Sequence, residues 1–400
     1  MRRSSHLLAR LARAALVPLL AAATVLTAAA PAQAATLTQV SGFGSNPGNL
    51  TMYAYRPDGL PSGAPAVVLL HGCAQNANGY FSNSGWRKYA DQWGFALIVP
   101  EQKSANNSTS CFNWFETADT ARGQGEALSI KQMVDHARSS YGIAANRVYV
   151  SGLSAGGAMV AAMLATYPDT FAAGSIVAGI PYRCATSMVN AFSCMNPGVD
   201  RSPAQWGDLV RNAYPGYSGA RPKVAIWHGT ADYTVGTANA TESRDQWTNA
   251  LGVSQSPTGT SSLPGGTTLE TYGADQVRLY RVAGMGHGTP VDPGSGADQC
   301  GTAAAYFLDT ICSAYRDALF FGLGSGGGPG DPGDPGDPGD PGEEPVCVTA
   351  TNYAHVQAGR AYQSLGYAYA TGSGQLMGLY NTFATSALRE TAPGHWVVGC

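Results

Sequence analysis

Residues 147–161 read RVYVSGLSAGGAMVA. An apolar, β-branched run ends at Gly152, Ser154 follows, and beyond Gly156 and Gly157 the composition turns to alanine and methionine. Those residues favour helix, so the segment reads as strand, tight turn, helix around a G-x-S-x-G pattern. A serine on such a turn sits on strained backbone, and a side chain at Gly152 or Gly156 would strike the neighbouring main chain. The first turn of the helix behind it favours negative charge. With 51 glycines in 400 residues the five-letter pattern alone carries little weight, and the strand–turn–helix setting is what strengthens it.

Outward from this turn, short apolar runs recur at 66–70 (AVVLL), 95–100 (FALIVP), 174–179 (GSIVAG), 223–229 (KVAIWHG) and 277–284 (VRLYRVAG). Together with 147–152 they read as buried strands that end in turn residues. Amphipathic or alanine-rich stretches at 85–93, 125–139, 155–166, 241–250 and 301–319 read as helices. Strand–helix alternation over nearly the whole of 36–320 predicts an α/β domain with a mostly parallel central sheet. The opening segments TLTQVSGF and LTMYAYRP predict an antiparallel hairpin at one edge.

A serine nucleophile needs a general base, and the base needs an acid to orient it. His6 belongs to the leader, His136 falls mid-helix, and His355 and His395 lie far down the chain. His71 and His228 each follow a strand as HG, where histidine braces turns. His287, in VAGMGHGTPVDPG after the last strand, stands where the base of an α/β-hydrolase fold belongs. The order Ser, acid, His then selects Asp232 in KVAIWHGTADYTV, with Asp275 as runner-up. Two backbone N–H groups must hold the oxyanion. Ala155 follows the nucleophile, and Cys73 in LLHGCAQNA lies on the loop after the early strand. A Cys73–Cys111 disulfide would fix that second amide, and a reactive Cys73 thiol is the competing reading.

Charged residues are 12% of the chain, about half the usual share, and the net charge is −3. No basic field is available for nucleic acid or anionic lipid. Residues 1–34 carry Arg2, Arg3, Arg10 and Arg13, an apolar alanine-rich run, and AQA at 32–34, the pattern of a secretory signal. The expected product is soluble and extracellular, with no membrane span. Eight cysteines suit an oxidising compartment and imply four structural disulfides. No P-loop, HExxH, EF-hand, dinucleotide fingerprint or zinc spacing occurs, so neither cofactor nor metal is expected.

The segment GGGPGDPGDPGDPGDPGEEP (326–345) cannot build a core. Proline stiffens it, glycine loosens it and the spaced aspartates repel, so residues 322–346 read as a partly extended linker. It parts a larger domain, 35–321, from a small domain, 347–400, bounded by Cys347 and Cys400. A disulfide joining those ends would support so small a core.

Five segments occur in the order seen in secreted short-chain-length polyhydroxyalkanoate depolymerases: LLHGCAQNA, SCFNWF, VYVSGLSAGGAM, WHGTADYTV and GMGHGTPVDPG. The chain over about 40–320 resembles that family, in the branch whose oxyanion loop precedes the serine motif. The resemblance implies Ser154 as nucleophile, Asp232 as acid, His287 as base and the amides of Cys73 and Ala155 as oxyanion donors. CVTATNYAHVQAGRAY and GSGQLMGLYNTF look like the family's small substrate-binding domain, with Thr351 where the family often has serine. That likeness implies a monomer whose partner is a solid polyester surface, met by residues such as Tyr353, Val356 and Tyr380. The same catalytic motifs are shared with feruloyl and acetylxylan esterases, the competing reading. A surface-binding protein that keeps an inactive hydrolase domain is a further alternative. Tyr362, Tyr367, Tyr369, Leu379 and Phe383 add to an almost uncharged tail that suits adsorption to polyester, unless these side chains form the small domain's core.

Overall fold

Continuous apolar runs make strands that are buried on both faces, and the first unit is organised around them. In this computed structural model residues 35–324 and 347–399 are described, apart from 393 and 394. The expected signal, most of the expected linker and Cys400 lie outside the described residues. The described residues fall into two compact units, one on each side of the Gly/Pro/Asp segment.

The first unit holds a ten-stranded sheet. Its strands are β1 (Thr38–Val40), β2 (Thr51–Tyr55), β3 (Ala66–Leu70), β4 (Ala96–Glu101), β5 (Val148–Leu153), β6 (Ala173–Val177), β7 (Lys223–Gly229), β8 (Gly259–Leu263), β9 (Thr267–Tyr272) and β10 (Val277–Val282). They lie in the order β1-β2-β4-β3-β5-β6-β7-β10-β9-β8. The six strands from β4 to β10 pair in parallel, and antiparallel strands extend both edges. The expected edge hairpin is β1–β2. The β8–β9 hairpin at the other edge had no counterpart in the sequence reading.

Helices cover both faces: α1 (Ala77–Asn83), α2 (Trp86–Trp93), α3 (Gly125–Tyr141), α4 (Ala155–Thr166), α5 (Met188–Met195), α6 (Pro203–Arg211), α7 (Ala238–Leu251) and α8 (Ser313–Phe320). Alternate residues of β3 show the layering. Ala66, Val68 and Leu70 face a core with α3, α4, α6 and α7, while Val67 and Leu69 face one with α1, α2 and α8. This three-layer arrangement is the α/β-hydrolase fold. Two expectations change. Residues 301–319 are not one helix: β12 (Phe307–Asp309) pairs in parallel with β11 (Thr289–Val291), and only α8 is helical. The Cys300–Cys312 disulfide closes that loop and overrides the helical propensity of its alanines. Leu323, assigned to the linker from sequence, is buried in the core beside Phe320 and Phe321.

The register of β7 with β10 places Trp227 opposite Tyr280. Their rings stack in parallel with centroids 3.8 Å apart, a cross-strand pair worth about 1 kcal/mol beyond burial. The Trp227 Nε1–H donates to Asp317 Oδ1 on α8 at 2.8 Å.

The second unit contains β13 (Cys347–Thr351), α9 (Asn352–Gln357), β14 (Ala361–Ser364), β15 (Tyr367–Ala370), β16 (Leu376–Leu379), β17 (Thr385–Ala392) and β18 (His395–Val398). They form two three-stranded antiparallel sheets, β13-β17-β18 and β14-β15-β16. Thr351 caps α9, its hydroxyl accepting from the Ala354 amide at 3.1 Å, a role that needs only the hydroxyl that serine and threonine share. Buried Asn352 ties the sheets: it donates to the Met377 and Leu379 carbonyls and accepts from the Ser386 hydroxyl. Cys347 is disulfide-bonded.

Asp317 is fully buried, and burial pushes its carboxyl up to about 7, against the lowering effects of nearby Ser175, the Trp227 hydrogen bond and the Arg278 charge. Its folded value lies above its unfolded one, so its contribution to stability is full at low pH and is lost as pH rises through about 7. Asp317→Asn keeps the acceptor for Trp227 without the charge. Thermal melts from pH 4 to 8 should show the variant gaining several degrees on the parent across that interval. A constant gap would contradict a buried, protonated Asp317.

Candidate active site

The loops at the carboxyl ends of the parallel strands carry Cys73, Ser154, Asp232 and His287, and Ala155 opens the helix that follows Ser154. The chain leaves β3 for β4 on one side and returns through β5 on the other, so β3 and β5 flank the switch point where such sheets place their sites. Cys73 follows β3, Ser154 follows β5, Asp232 follows β7 and His287 follows β10.

Ser154 sits between β5 and α4 with φ +57° and ψ −119°, a conformation strained for any residue with a Cβ. The glycines around it are obligatory. A Cβ on Gly156 would lie 2.2 Å from the Leu70 carbonyl oxygen and 2.6 Å from that of His71. One on Gly152 would lie 2.7 Å from the Gly156 carbonyl group. The first turn of α4 is therefore pressed against the end of β3, which brings Ala155 towards the loop carrying Cys73. Among the described residues neither the Ala155 nor the Cys73 amide meets an acceptor. Two unpaired N–H donors beside a strained serine suit a developing oxyanion.

Asp232 and His287 are brought together. His287 Nδ1 lies 2.7 Å from Asp232 Oδ2, while Oδ1 accepts from the Thr234 and Val235 amides, each at 2.9 Å. Burial works to raise the Asp232 pKa, but the His287 hydrogen bond and charge, the Val235 amide and His228 outweigh it and hold the carboxyl below its ordinary value. Asp232 is thus an ionised partner for an imidazole. The runner-up Asp275 stands at the opposite end of β10, bonded to Arg278 at 2.6 and 2.7 Å, so it cannot orient His287.

The other two HG histidines brace the site, as their positions suggest. His228 Nε2 donates to the Val235 carbonyl at 2.9 Å and lies 3.6 Å from Asp232 Oδ2, with burial lowering its pKa. His71 is wholly buried; its Nε2 accepts from the Gln102 amide at 3.1 Å, so Nδ1–H donates to the Gly72 carbonyl at 2.8 Å. Burial lowers its pKa to about 4 and keeps the ring neutral.

Cys73 is bonded to Cys111, so it is no free thiol. Sequence reasoning missed what holds Cys111. The Gln102 side-chain amide donates to the Cys111 carbonyl at 3.1 Å and to Glu126, and Glu126 Oε2 accepts from the Asn113 amide at 2.9 Å. Glu126 is buried, and burial together with nearby Asp119 pushes its carboxyl up to about 8. Among the described residues no three His, Cys, Asp or Glu side chains gather as metal ligands would.

A family model described as esterase PHB depolymerase matches residues 50–268. The chain belongs to the PHB depolymerase esterase family. It is an ester hydrolase. Poly(3-hydroxyalkanoate) depolymerase C of Paucimonas lemoignei is 53% identical over 310 residues, which cover 76% of this chain and 74% of that protein. Feruloyl esterase B of Talaromyces funiculosus is 37% identical over 267 residues, 65% of this chain and 75% of that protein. An acetyl xylan esterase structure from Aspergillus awamori superposes with a TM-score of 0.63 at 30% identity, covering 72% of this chain and 99% of that one.

In this member of the esterase family the Cys73–Cys111 disulfide ties down the segment that carries the Cys73 amide. Cys73→Ser with Cys111→Ser should lower kcat on p-nitrophenyl butyrate by roughly 10²-fold, with a smaller change in KM. An unchanged kcat would remove Cys73 from the oxyanion site.

Proposed function

We propose that this chain is secreted and hydrolyses the ester bonds of poly(3-hydroxybutyrate) and related short-chain polyhydroxyalkanoates through an acyl-enzyme on Ser154. The observation that carries the substrate is the 53% identity with the Paucimonas depolymerase, against 37% with the feruloyl esterase. The signal pattern at 1–34 and the disulfides of the first unit support secretion.

Ser154 Oγ attacks the ester carbonyl carbon and gives its proton to His287 Nε2. Ionised Asp232 holds Nδ1–H and stabilises the imidazolium that forms. The amides of Ala155 and Cys73 take the oxyanion. As the intermediate collapses, the bond to the alkoxide breaks and His287 returns the proton to that oxygen, freeing a hydroxyl end. His287 then takes a proton from water as its oxygen attacks the acyl-serine; collapse of this second intermediate breaks the carbon–Oγ bond, His287 returns the proton to Ser154 Oγ, and a carboxyl end leaves.

The second unit serves this reading as an adsorption module. Its buried side chains include Ala361, Ala368, Ala370, Leu388 and Trp396, and several of its aromatics are at the surface. Tyr353 stacks on Tyr380 with centroids 5.5 Å apart, Tyr362 stacks likewise on Tyr369, and Phe383 is 89% exposed. Val356 is half-buried on α9, one turn from Tyr353. Uncharged rings of this kind match the methyls and ester carbonyls of a polyester better than the hydroxyls of a sugar. A weak binding module on a tether raises the concentration of catalytic sites at a surface that cannot diffuse to them.

Ser154→Ala should lower p-nitrophenyl butyrate hydrolysis by about four orders of magnitude or more. Parental activity in that variant would leave the assigned site without support. The substrate is tested by clearing of poly(3-hydroxybutyrate) granules, with methyl ferulate and acetylated xylan alongside. The full chain should clear granules. A chain ending after Gly324, beyond buried Leu323, should keep small-ester activity and lose most clearing. Release of ferulate or acetate without clearing would make the enzyme a cell-wall esterase.

A further inference from the structure

Six large apolar side chains of the first unit stand exposed among the described residues: Met188, Val189, Phe192, Tyr233, Tyr306 and Leu319. All but Leu319 belong to segments at the active site. Tyr233 directly follows Asp232 and is 86% exposed. The Tyr306 ring meets the His287 ring nearly edge-on, with centroids 6.2 Å apart. The other three lie on α5, a helix without a charged residue, where Val189 is 82% and Phe192 68% exposed. These two are three residues apart and share one face, while Ala191 and Cys194 are buried on the other.

Such a face is costly in water and is held firmly outward nonetheless. The Cys184–Cys194 disulfide clamps α5 at its inner side. Its carboxyl end is tied to the segment after Asp232: the Gly236 amide donates to the Met195 carbonyl at 2.6 Å and the Asn239 side chain to the Cys194 carbonyl at 2.9 Å. The Asn196 side chain donates to the Tyr233 carbonyl at 2.8 Å. The apolar patch and the catalytic Asp232–His287 pair are thereby one continuous structure.

We propose that α5 and Tyr233, with Tyr306 beside His287, form a face by which the catalytic unit itself rests on solid polyester; this inference builds on the polyester reading above. The position of the face selects its occupant. A protein or a second copy docked there would cover the site, whereas a polymer surface that covers the face also delivers ester bonds to Ser154. A small soluble ester has no use for an apolar area reaching a helix away from the nucleophile. The absence of charge on α5 fits an uncharged polymer of methyls and carbonyls.

Two measurements on the full chain test the proposal. In the first, the Ser154→Ala protein is labelled by hydroxyl radicals, free and adsorbed on poly(3-hydroxybutyrate) granules. Labelling of Met188 and Phe192 should fall several-fold on the granules. In the second, the Val189→Ser, Phe192→Ser double variant is assayed on granules and on p-nitrophenyl butyrate. The ratio of the two rates should drop by about tenfold, as expected when two apolar side chains no longer reach the polymer. Equal labelling in the two states, or a parental rate ratio in the double variant, overturns the docking face. Protection of Met188 and Phe192 in a protein whose parent leaves granules intact would instead overturn polyester hydrolysis and leave the face standing.

Discussion

The close approach of the first turn of α4 to the end of β3 is the contact on which the site depends. Backbone meets backbone there because position 156 has no side chain: a single methyl would stand 2.2 Å from the Leu70 carbonyl oxygen. That approach accompanies the positive φ of Ser154, and Ala155 packs in the same cluster as Cys73, from a segment about eighty residues away. Strain of this kind costs on the order of 1–3 kcal/mol and persists only where the surroundings leave no alternative. All twelve residues of α4 are buried, and that supplies the constraint.

Around this contact the protein spends its buried polar groups on loops rather than on the sheet. His71, Gln102 and Glu126 join the end of β3 to the loop that carries Cys111. His228 and the amides of Thr234 and Val235 fix the Asp232 carboxylate from the other side. The Trp227–Tyr280 stack keeps β7 and β10 in register, and a slip of one residue there would turn Asp232 away from His287. The parallel sheet supplies positions, and polar side chains behind it set the angles.

The parts legible in the sequence were those with a local signature. Each parallel strand showed as a mainly apolar run, broken by arginines only in 277–284, and 66–70 and 223–229 matched β3 and β7 to the residue. Ser154, Asp232 and His287 were singled out because each follows such a run within a few positions, and the fold brings Asp232 and His287 into hydrogen-bond contact. The helices α1, α5 and α6, of seven to nine residues, went unseen; at that length a helical period stands out only where the amphipathic contrast is as strong as in α2. Residues 301–312 misled for the opposite reason: their alanines favour helix, but pairing with 289–291 and a disulfide decide otherwise. Gln102 and Glu126 gave no signal, since what matters about them is burial created by distant parts of the chain.

The three described disulfides of the first unit span 38, 10 and 12 residues. Each joins a cysteine to the next one along the chain. Correct pairing therefore demands no search among distant thiols, even though the sheet joins segments from both ends of the unit. Each loop can close as soon as its own stretch has emerged, in order from the amino end. The covalent framework around the site can be assembled piecemeal, ahead of the strand pairings that later bring the loops together.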